Sequence, residues 1–546
     1  MAQKFRKSDK LLLKDWMKFH PYKSADAVDH YYYSDIARKI QKAILSINQS
    51  AYLYANMTDE EINRMACYLG CYFEDIISQA GMWQTFTREH FELYGRYLPF
   101  YDTTEYYPDE INQQDVCFLI WYFFSLTFRD FLINPANEDI VNLAQDVMEI
   151  FDQEYETALE NERLKSYLNI PSDAYEGFKV SGEMQEWYFF NSYLFHFHET
   201  ELNHQLIGYM DENEAELKEK KENGTLEEED IKIFREEVDF YSSNLAYYFL
   251  FDYRTPLLSK RGNEWLAALV GSEHPLYNDF MCMQKRDPEG YIHTGEDEHY
   301  IHFKSIKDDT DLPVLKKSME NTDLGHPEGD LFIMSVLRFN EEWWLMEIYY
   351  SFEYTEQMKK ELAGKKILFD FFHNQEAEDQ VLVRARYKYF LKFTEGKQLL
   401  FFKDSEELIA IYERWTKYLG KVEKLSKEEQ KQILDNHKAD IMDSWVDDEE
   451  ASGFLFYNPN HGLEFYAGIN DIIPDEDNPE YDENQDSSDI IELMISEGCS
   501  DEMARFILDK YEFEPLQFPM ETNTHMLEDN KDFMLRFWKS DFRSFL

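Results

Sequence analysis

Apolar side chains in the first half of the chain recur every three or four residues, the period of a helix with one buried face. The clearest case is Ile62, Met65, Ala66, Leu69, Phe73 and Ile76, set behind Thr58-x-x-Glu61. That leader is a capping box, in which hydroxyl and carboxylate each satisfy a backbone N–H at the helix start. Further helical patterns run over about 26–56, 137–165, 172–205 and 227–250, the last behind a second box at Thr225-x-x-Glu228. The stretch from Asp211 to Gly224 is so densely charged that it predicts an exposed helix or a loop. Pro108-Asp109-Glu110 predicts another helix start, with proline early and acids at the positive end of the dipole. This helix carries an uncharged stretch from Val116 to Phe128. Its 13 residues suit a buried helix and fall short of the roughly 18 that cross a bilayer.

Near Leu276 the pattern changes to shorter aromatic and β-branched runs. Met281–Lys285 and Tyr291–His293 flank Asp287-Pro288-Glu289-Gly290, which reads as a four-residue turn. Leu331–Phe339 and Glu342–Phe352 predict a hairpin closed by Asn340-Glu341, although glutamate suits such a loop less well than glycine. Val381–Phe393 predicts one strand of a second hairpin, turning at Thr394-Glu395-Gly396 and returning through Leu399–Phe402. Asp404-x-x-Glu407 starts a helix ending near Gly420, and Ser426–His437 reads as one more. A small hairpin pairs Phe454–Tyr457 with Leu463–Tyr466 across Asn458-Pro459-Asn460-His461-Gly462. Pro474–Asp489 holds eight acids and no base, the composition of a linker or a mobile loop. Two short helices, about 488–497 and 501–511, follow it, with a break at Gly498 and Ser500 as cap. These elements predict an α+β protein with a predominantly α-helical N-terminal half, a mixed module containing β-hairpins and a small mixed C-terminal region. The expected division is an all-α domain with a basic N-terminal arm over 1–256, the hairpin module over 257–403, and a C-terminal region over 404–546 with an acidic linker near 474–489.

Three runs carry a resemblance to known proteins. They are Lys14-Asp15-Trp16 with His20-Pro21-Tyr22; Leu98-Pro99-Phe100-Tyr101-Asp102 with Tyr106-Tyr107-Pro108-Asp109-Glu110-Ile111-Asn112; and Arg338-Phe339-Asn340-Glu341-Glu342-Trp343-Trp344. They are similar to a family of gut-type bacterial proteins defined only as a domain of unknown function. Their spread over most of the first 350 residues implies a full-length relative rather than one shared module. The resemblance implies a bacterial, cytosolic origin and brings no activity, ligand or catalytic residue.

Composition narrows the classes. The net charge is -54, from 55 basic and 109 acidic residues, yet aromatics make up 17% of the 546 positions. That aromatic content supplies a core, so the acidity is not that of a disordered chain. It disfavours generic binding to nucleic acids or anionic membranes, which depends on Lys and Arg displacing counterions. The five cysteines include no CxxC pair, and the basic N-terminus has no apolar run longer than Leu11-Leu12-Leu13. Both points suggest a reducing compartment and no signal peptide, so a cytoplasmic protein is expected. No G-x-G occurs anywhere, and neither pair of glycines five apart is followed by lysine. Dinucleotide fingerprints, kinase glycine loops and P-loops are therefore excluded. HExxH, G-x-S-x-G and zinc-spaced cysteines are absent too. No cofactor is expected.

Three constellations remain. Glu201 and His204 form an E-x-x-H pair that would share a helix face as in di-iron bundles, or stand in a polar stripe at a helix end. A second such pair, Glu296 and His299, falls in strand or loop. The acidic aromatic loop from Tyr101 to Glu110 has the carboxylates for a cation or an acid–base pair, but packing and helix capping also explain it. Arg384, Arg386, Lys388 and Lys392 occupy even positions of the expected strand, opposite apolar residues at odd ones, which would make one face cationic. Lys359–Lys403 carries a net of +4 and the first 25 residues +5, islands in an otherwise acidic chain. Such a face would either dock on the protein's own acids or bind an anion or a nucleic-acid backbone. The reading that leads is a non-enzymatic interaction or regulatory protein whose partner is another protein. Nucleic-acid mimicry is a variant of it. An anion or nucleic-acid binder using the 384–392 face, and an enzyme with an unfamiliar, metal-dependent or hydrolytic site, stand beside it.

Overall fold

The computed structural model describes residues 10–539 except 21–25, 48–51, 129–131, 185–191, 196–204, 211–213, 319–326, 356–375, 445–451, 514–527 and positions 56, 168, 215–216, 219, 486 and 497. The chain divides into two compact units. Unit 1 comprises Met1–Phe128 and Pro135–Asp370, and unit 2 comprises Arg129–Asn134 and Phe371–Leu546. The protein is α+β, with helices concentrated in the N-terminal half and sheets in the middle and C-terminal regions.

In unit 1 the helices α1 (Leu13–Phe19), α2 (Ala27–Ser46), α3 (Asp59–Ser78), α4 (Met82–Tyr94), α5 (Gln113–Thr127) and α6 (Glu138–Tyr155) pack together. The Thr58 box starts α3 as expected: Thr58 Oγ1 accepts from the Glu61 N–H at 3.2 Å, and the Thr58 N–H donates to Glu61 Oε2 at 2.6 Å. Helix α3 lies in the core, buried along most of its length. Helix α5 begins at Gln113 rather than at Pro108. Asn112 Nδ2 donates to the Tyr107 and Glu110 carbonyls, which holds the preceding residues as a turn. The apolar stretch within α5 is buried, and among the described residues no helix is long and apolar enough to cross a membrane.

After these come α7 (Ala174–Met184) and α8 (Glu228–Phe251), then five strands: β1 (Gln284–Glu296), β2 (Tyr300–Ser305), β3 (Asp311–Leu315), β4 (Leu331–Phe339) and β5 (Glu342–Phe352). They close into a barrel in the order β1-β2-β3-β5-β4, antiparallel throughout except for β3 and β5, which meet in parallel at Val314 and Trp343. This is the five-stranded Greek-key order of OB-type barrels. The β4–β5 hairpin has the predicted bounds, and Asn340 and Glu341 both take positive φ, 49° and 64°, as its two-residue loop requires. The turn expected at Asp287–Gly290 is instead a bulge inside β1, where three residues of β1 advance against two of β4. A bulge tolerates Pro288, which has no N–H to give a ladder. Tyr291, Ile301, Phe303, Val314, Phe332 and Val336 fill the barrel. Helices cover its β4–β5 flank: the Phe178 ring packs tilted against Trp344, the Phe240 ring tilted against Tyr350, and Ser335 Oγ donates to Asn244 Oδ1 at 2.7 Å.

Unit 2 holds helices α9 (Glu376–Phe393), α10 (Ser405–Val422), α11 (Lys427–Ser444) and α12 (Asp501–Lys510), with a sheet in the order β6 (Leu399–Phe402), β7 (Gly453–Asn458), β8 (Gly462–Ala467). Asp404 and Ser500 cap α10 and α12 as the sequence predicts. The strand expected at Val381–Phe393 is a helix, and β6 pairs with β7 instead. Val383, Tyr387 and Phe390, at steps of four and three, pack with Trp415, Leu419 and Tyr457, so a helical stripe prevails over the alternating one. The acidic segment 474–489 is tied to its own unit. Asn478 Nδ2 donates to the Asn470 and Ile473 carbonyls, and Lys510 Nζ lies 2.9 Å from Asp475 Oδ2.

Candidate functional site

The helical course of α9 redistributes its cations. A helix turns about 100° per residue, so Arg384, Lys388 and Lys392, four apart, form one line, and Arg386 points elsewhere. Arg384, Lys388 and Lys392 are exposed. Arg384 reaches Asn460 Oδ1 at 3.5 Å, and none of the three has an ion-pair partner among the described residues. Arg386 faces α10 and grips Glu423 with two hydrogen bonds of 3.0 and 2.8 Å. The Arg386 guanidinium is held charged by that carboxylate, its pKa raised further. The expectation that all four lie on one strand face is thus corrected: three line an open helix face and one is an internal ion pair.

The other sequence candidates do not assemble into chemistry. Glu201 and His204 lie outside the described residues. Glu296 pairs with Lys316 at 3.0 Å, whereas the His299 backbone N–H donates to Asp297, so this E-x-x-H pair does not converge. In the Tyr101–Glu110 loop, the Tyr101 hydroxyl donates to the Pro135 carbonyl at 2.9 Å and Tyr106 stacks on Tyr97, both packing roles. Among the described residues no group of three or more His, Cys, Asp or Glu side chains is arranged to hold a metal ion. All five cysteines are free thiols. Four are buried, and burial raises their pKa away from thiolate chemistry.

Sequence reasoning missed the buried acids. Asp75, at the end of α3, accepts the backbone N–H groups of Gly81, Met82 and Trp83 at 2.8–3.2 Å and the Tyr193 hydroxyl at 2.6 Å, so it fixes the start of α4. Burial raises its pKa although every donor opposes that. Asp115 accepts from Tyr72 at 2.6 Å and from Asn112 at 3.2 Å, and burial pushes its carboxyl up to about 7. Glu74 binds His20 Nε2 at 2.6 Å and Asn161 Nδ2 at 2.8 Å. In unit 2, burial raises Glu464 to about 7 while Ser500 donates to it at 2.5 Å. Asn458 and Asn460 donate to the nearby Glu502, so this cluster clamps the β7–β8 turn onto the start of α12. Nothing in the sequence separates these acids from the others, because burial is a property of the packed chain.

The three runs that carry the family resemblance have structural work. The Trp16 indole donates to His30 Nδ1 at 3.2 Å beside the His20–Glu74 pair, Tyr106 lies against Trp83, and the Trp344 indole donates to the Phe339 carbonyl at 3.1 Å. No curated protein and no solved structure matches the chain. The model of a family described as a protein of unknown function, DUF3843, matches residues 10–305. That span runs from just before α1 to the end of β2 and covers more than half of the 546 residues, and the chain accordingly belongs to the DUF3843 family.

Proposed function

We propose that this chain is a non-enzymatic binding protein that docks an acidic segment of a partner protein along the open face of α9. The observation that carries the reading is the line of Arg384, Lys388 and Lys392, exposed and without ion-pair partners among the described residues of a chain with net charge -54. Like charges four residues apart cost a helix roughly 0.2–0.5 kcal/mol per pair, a strain that an anionic partner relieves. Residues 381–427 hold eleven basic and six acidic side chains, so the cationic field continues onto α10. The acidic remainder repels the same partner and thereby restricts where it lands. Binding is favoured over catalysis because Asp75, Asp115 and Glu464, the buried acids with raised pKa, are engaged by donors of their own unit.

The test is a titration with a polyglutamate peptide at low and high ionic strength. The triple variant Arg384→Gln, Lys388→Gln, Lys392→Gln should lose salt-sensitive binding, and unchanged binding would sink the reading. A single-stranded oligonucleotide provides the second arm. Tighter binding of it than of polyglutamate, lost in the same variant, would reassign the face to nucleic acid.

A further inference from the structure

Helices α9 and α10 cover the same face of the unit 2 sheet. Val383, Tyr387 and Phe390 of α9 pack with Trp415 and Leu419 of α10 over Leu400, Tyr457 and Leu463. Leu408, Ile411 and Tyr412 continue that layer over Phe402 and Leu455. Side chains two apart on a strand share a face, so both helices lie on one side and turn their outer surfaces the same way. On α10 that surface carries a second line of cations, Arg414, Lys417 and Lys421, at steps of three and four. All three are exposed, and none has an ion-pair partner among the described residues. The exposed acid next to them, Glu413, is taken by Lys438 of α11 at 3.2 Å.

Arg386 meets Glu423, and Phe393 packs against Trp415 and Tyr418, so the two helices run antiparallel. Counting from the Arg386–Glu423 pair, Lys388 stands level with Lys421 and Lys392 with Lys417. Packed helices lie roughly 8–10 Å apart, and the two cationic lines therefore flank a seam. Leu382, one turn before Arg386, and Val422, next to Glu423, stay 41% and 39% exposed beside the ion pair that closes this seam. The arrangement selects its occupant by shape. An extended segment sends alternate side chains to opposite faces and lays a single row of carboxylates on one line. A helix about 10–12 Å across holds a row on each flank, with an apolar stripe between them to cover Leu382 and Val422. From Arg384 to Lys392 the platform is only about 12 Å long at about 1.5 Å per residue. A nucleic acid running past it would meet the acidic remainder of a chain with net charge -54.

We propose that the outer face of α9 and α10 takes an amphipathic acidic helix of a partner protein, seated along the seam with a row of carboxylates on each line of cations. Such a site rests on the reading of α9 as a docking face, to which it adds the α10 line and the helical form of the bound segment. The experiment is a titration of the full chain with a synthetic peptide of about 20 residues, a leucine stripe flanked by glutamates at helical spacing. A peptide of the same composition interrupted by two prolines is the comparison, and the helical one should bind about tenfold more tightly. Arg414→Gln with Lys417→Gln and Lys421→Gln should weaken binding about tenfold. Lys14→Gln with Lys42→Gln and Lys179→Gln, an equal loss of charge at exposed lysines of unit 1, should leave it within about twofold. An α10 triple variant that binds like wild type, while the α9 triple variant has lost binding, overturns the seam and leaves the α9 reading standing. Undiminished binding by both triple variants, or a wild-type protein that ignores both peptides, sinks the two together. Equal binding of the two peptides, equal weakening by the unit 1 variant, or a DNA duplex that binds more tightly than the helical peptide and is lost in both triple variants also overturns the proposal.

Discussion

Replacing Asp115 with Asn should change how the stability of unit 1 depends on pH. Asp115 is fully buried, and its Oδ2 accepts from Tyr72 and Asn112. Burial raises its carboxyl to about 7, against roughly 3.9 for an exposed aspartate. The folded state therefore holds this proton more tightly than the unfolded state. Its stabilising effect is complete below about pH 4 and is lost as the pH rises to about 7. The difference is about 3 pK units, which at about 1.4 kcal/mol each amounts to about 4 kcal/mol. An asparagine keeps the acceptor that Tyr72 and Asn112 use and cannot ionise. The variant should thus gain about 4 kcal/mol relative to wild type between about pH 4 and pH 8. Asp75, also raised by burial, titrates in both proteins and cancels in the difference. Because a chain of two units need not unfold in one step, the assay should read unit 1 alone. Urea titrations followed by hydrogen exchange of the Val116–Phe124 peptide do so. A difference that stays flat with pH, or that turns against the variant, would refute the reasoning.

Two further outcomes test the helical reading of α9 and the loop of the barrel hairpin. Arg386→Ala leaves the largely buried Glu423 without its guanidinium and should cost unit 2 about 2 kcal/mol in urea denaturation, whereas Lys388→Ala should stay within about 0.5 kcal/mol. Equal effects would mean that the two cations occupy equivalent positions, as on a strand. Glu341→Gly removes a side chain from a left-handed residue and should raise the stability of unit 1 by about 1 kcal/mol, since the exposed Arg338 pair it gives up is worth little. A loss of stability by the same measurement would contradict that loop geometry.

What the sequence determined by itself was local. Thr58, Asp404 and Ser500 cap their helices because a cap needs only a side chain within three residues of the N–H it accepts. The β4–β5 hairpin was legible because two aromatic runs meet across a two-residue loop. The α+β composition followed from the change of period near residue 276. Val381–Phe393 carried two periods at once, and only packing against Trp415 and Tyr457 selected the helical one. That choice released Arg384, Lys388 and Lys392 to solvent and sent Arg386 to Glu423. The parallel contact of β3 with β5 and the β1–β4 pairing join segments distant in the chain, so no local pattern announces the closed barrel. The raised acids Asp75, Asp115 and Glu464 were likewise decided by burial. The sequence counts 109 acids, but a carboxyl acquires its chemistry from the water that the tertiary structure removes around it.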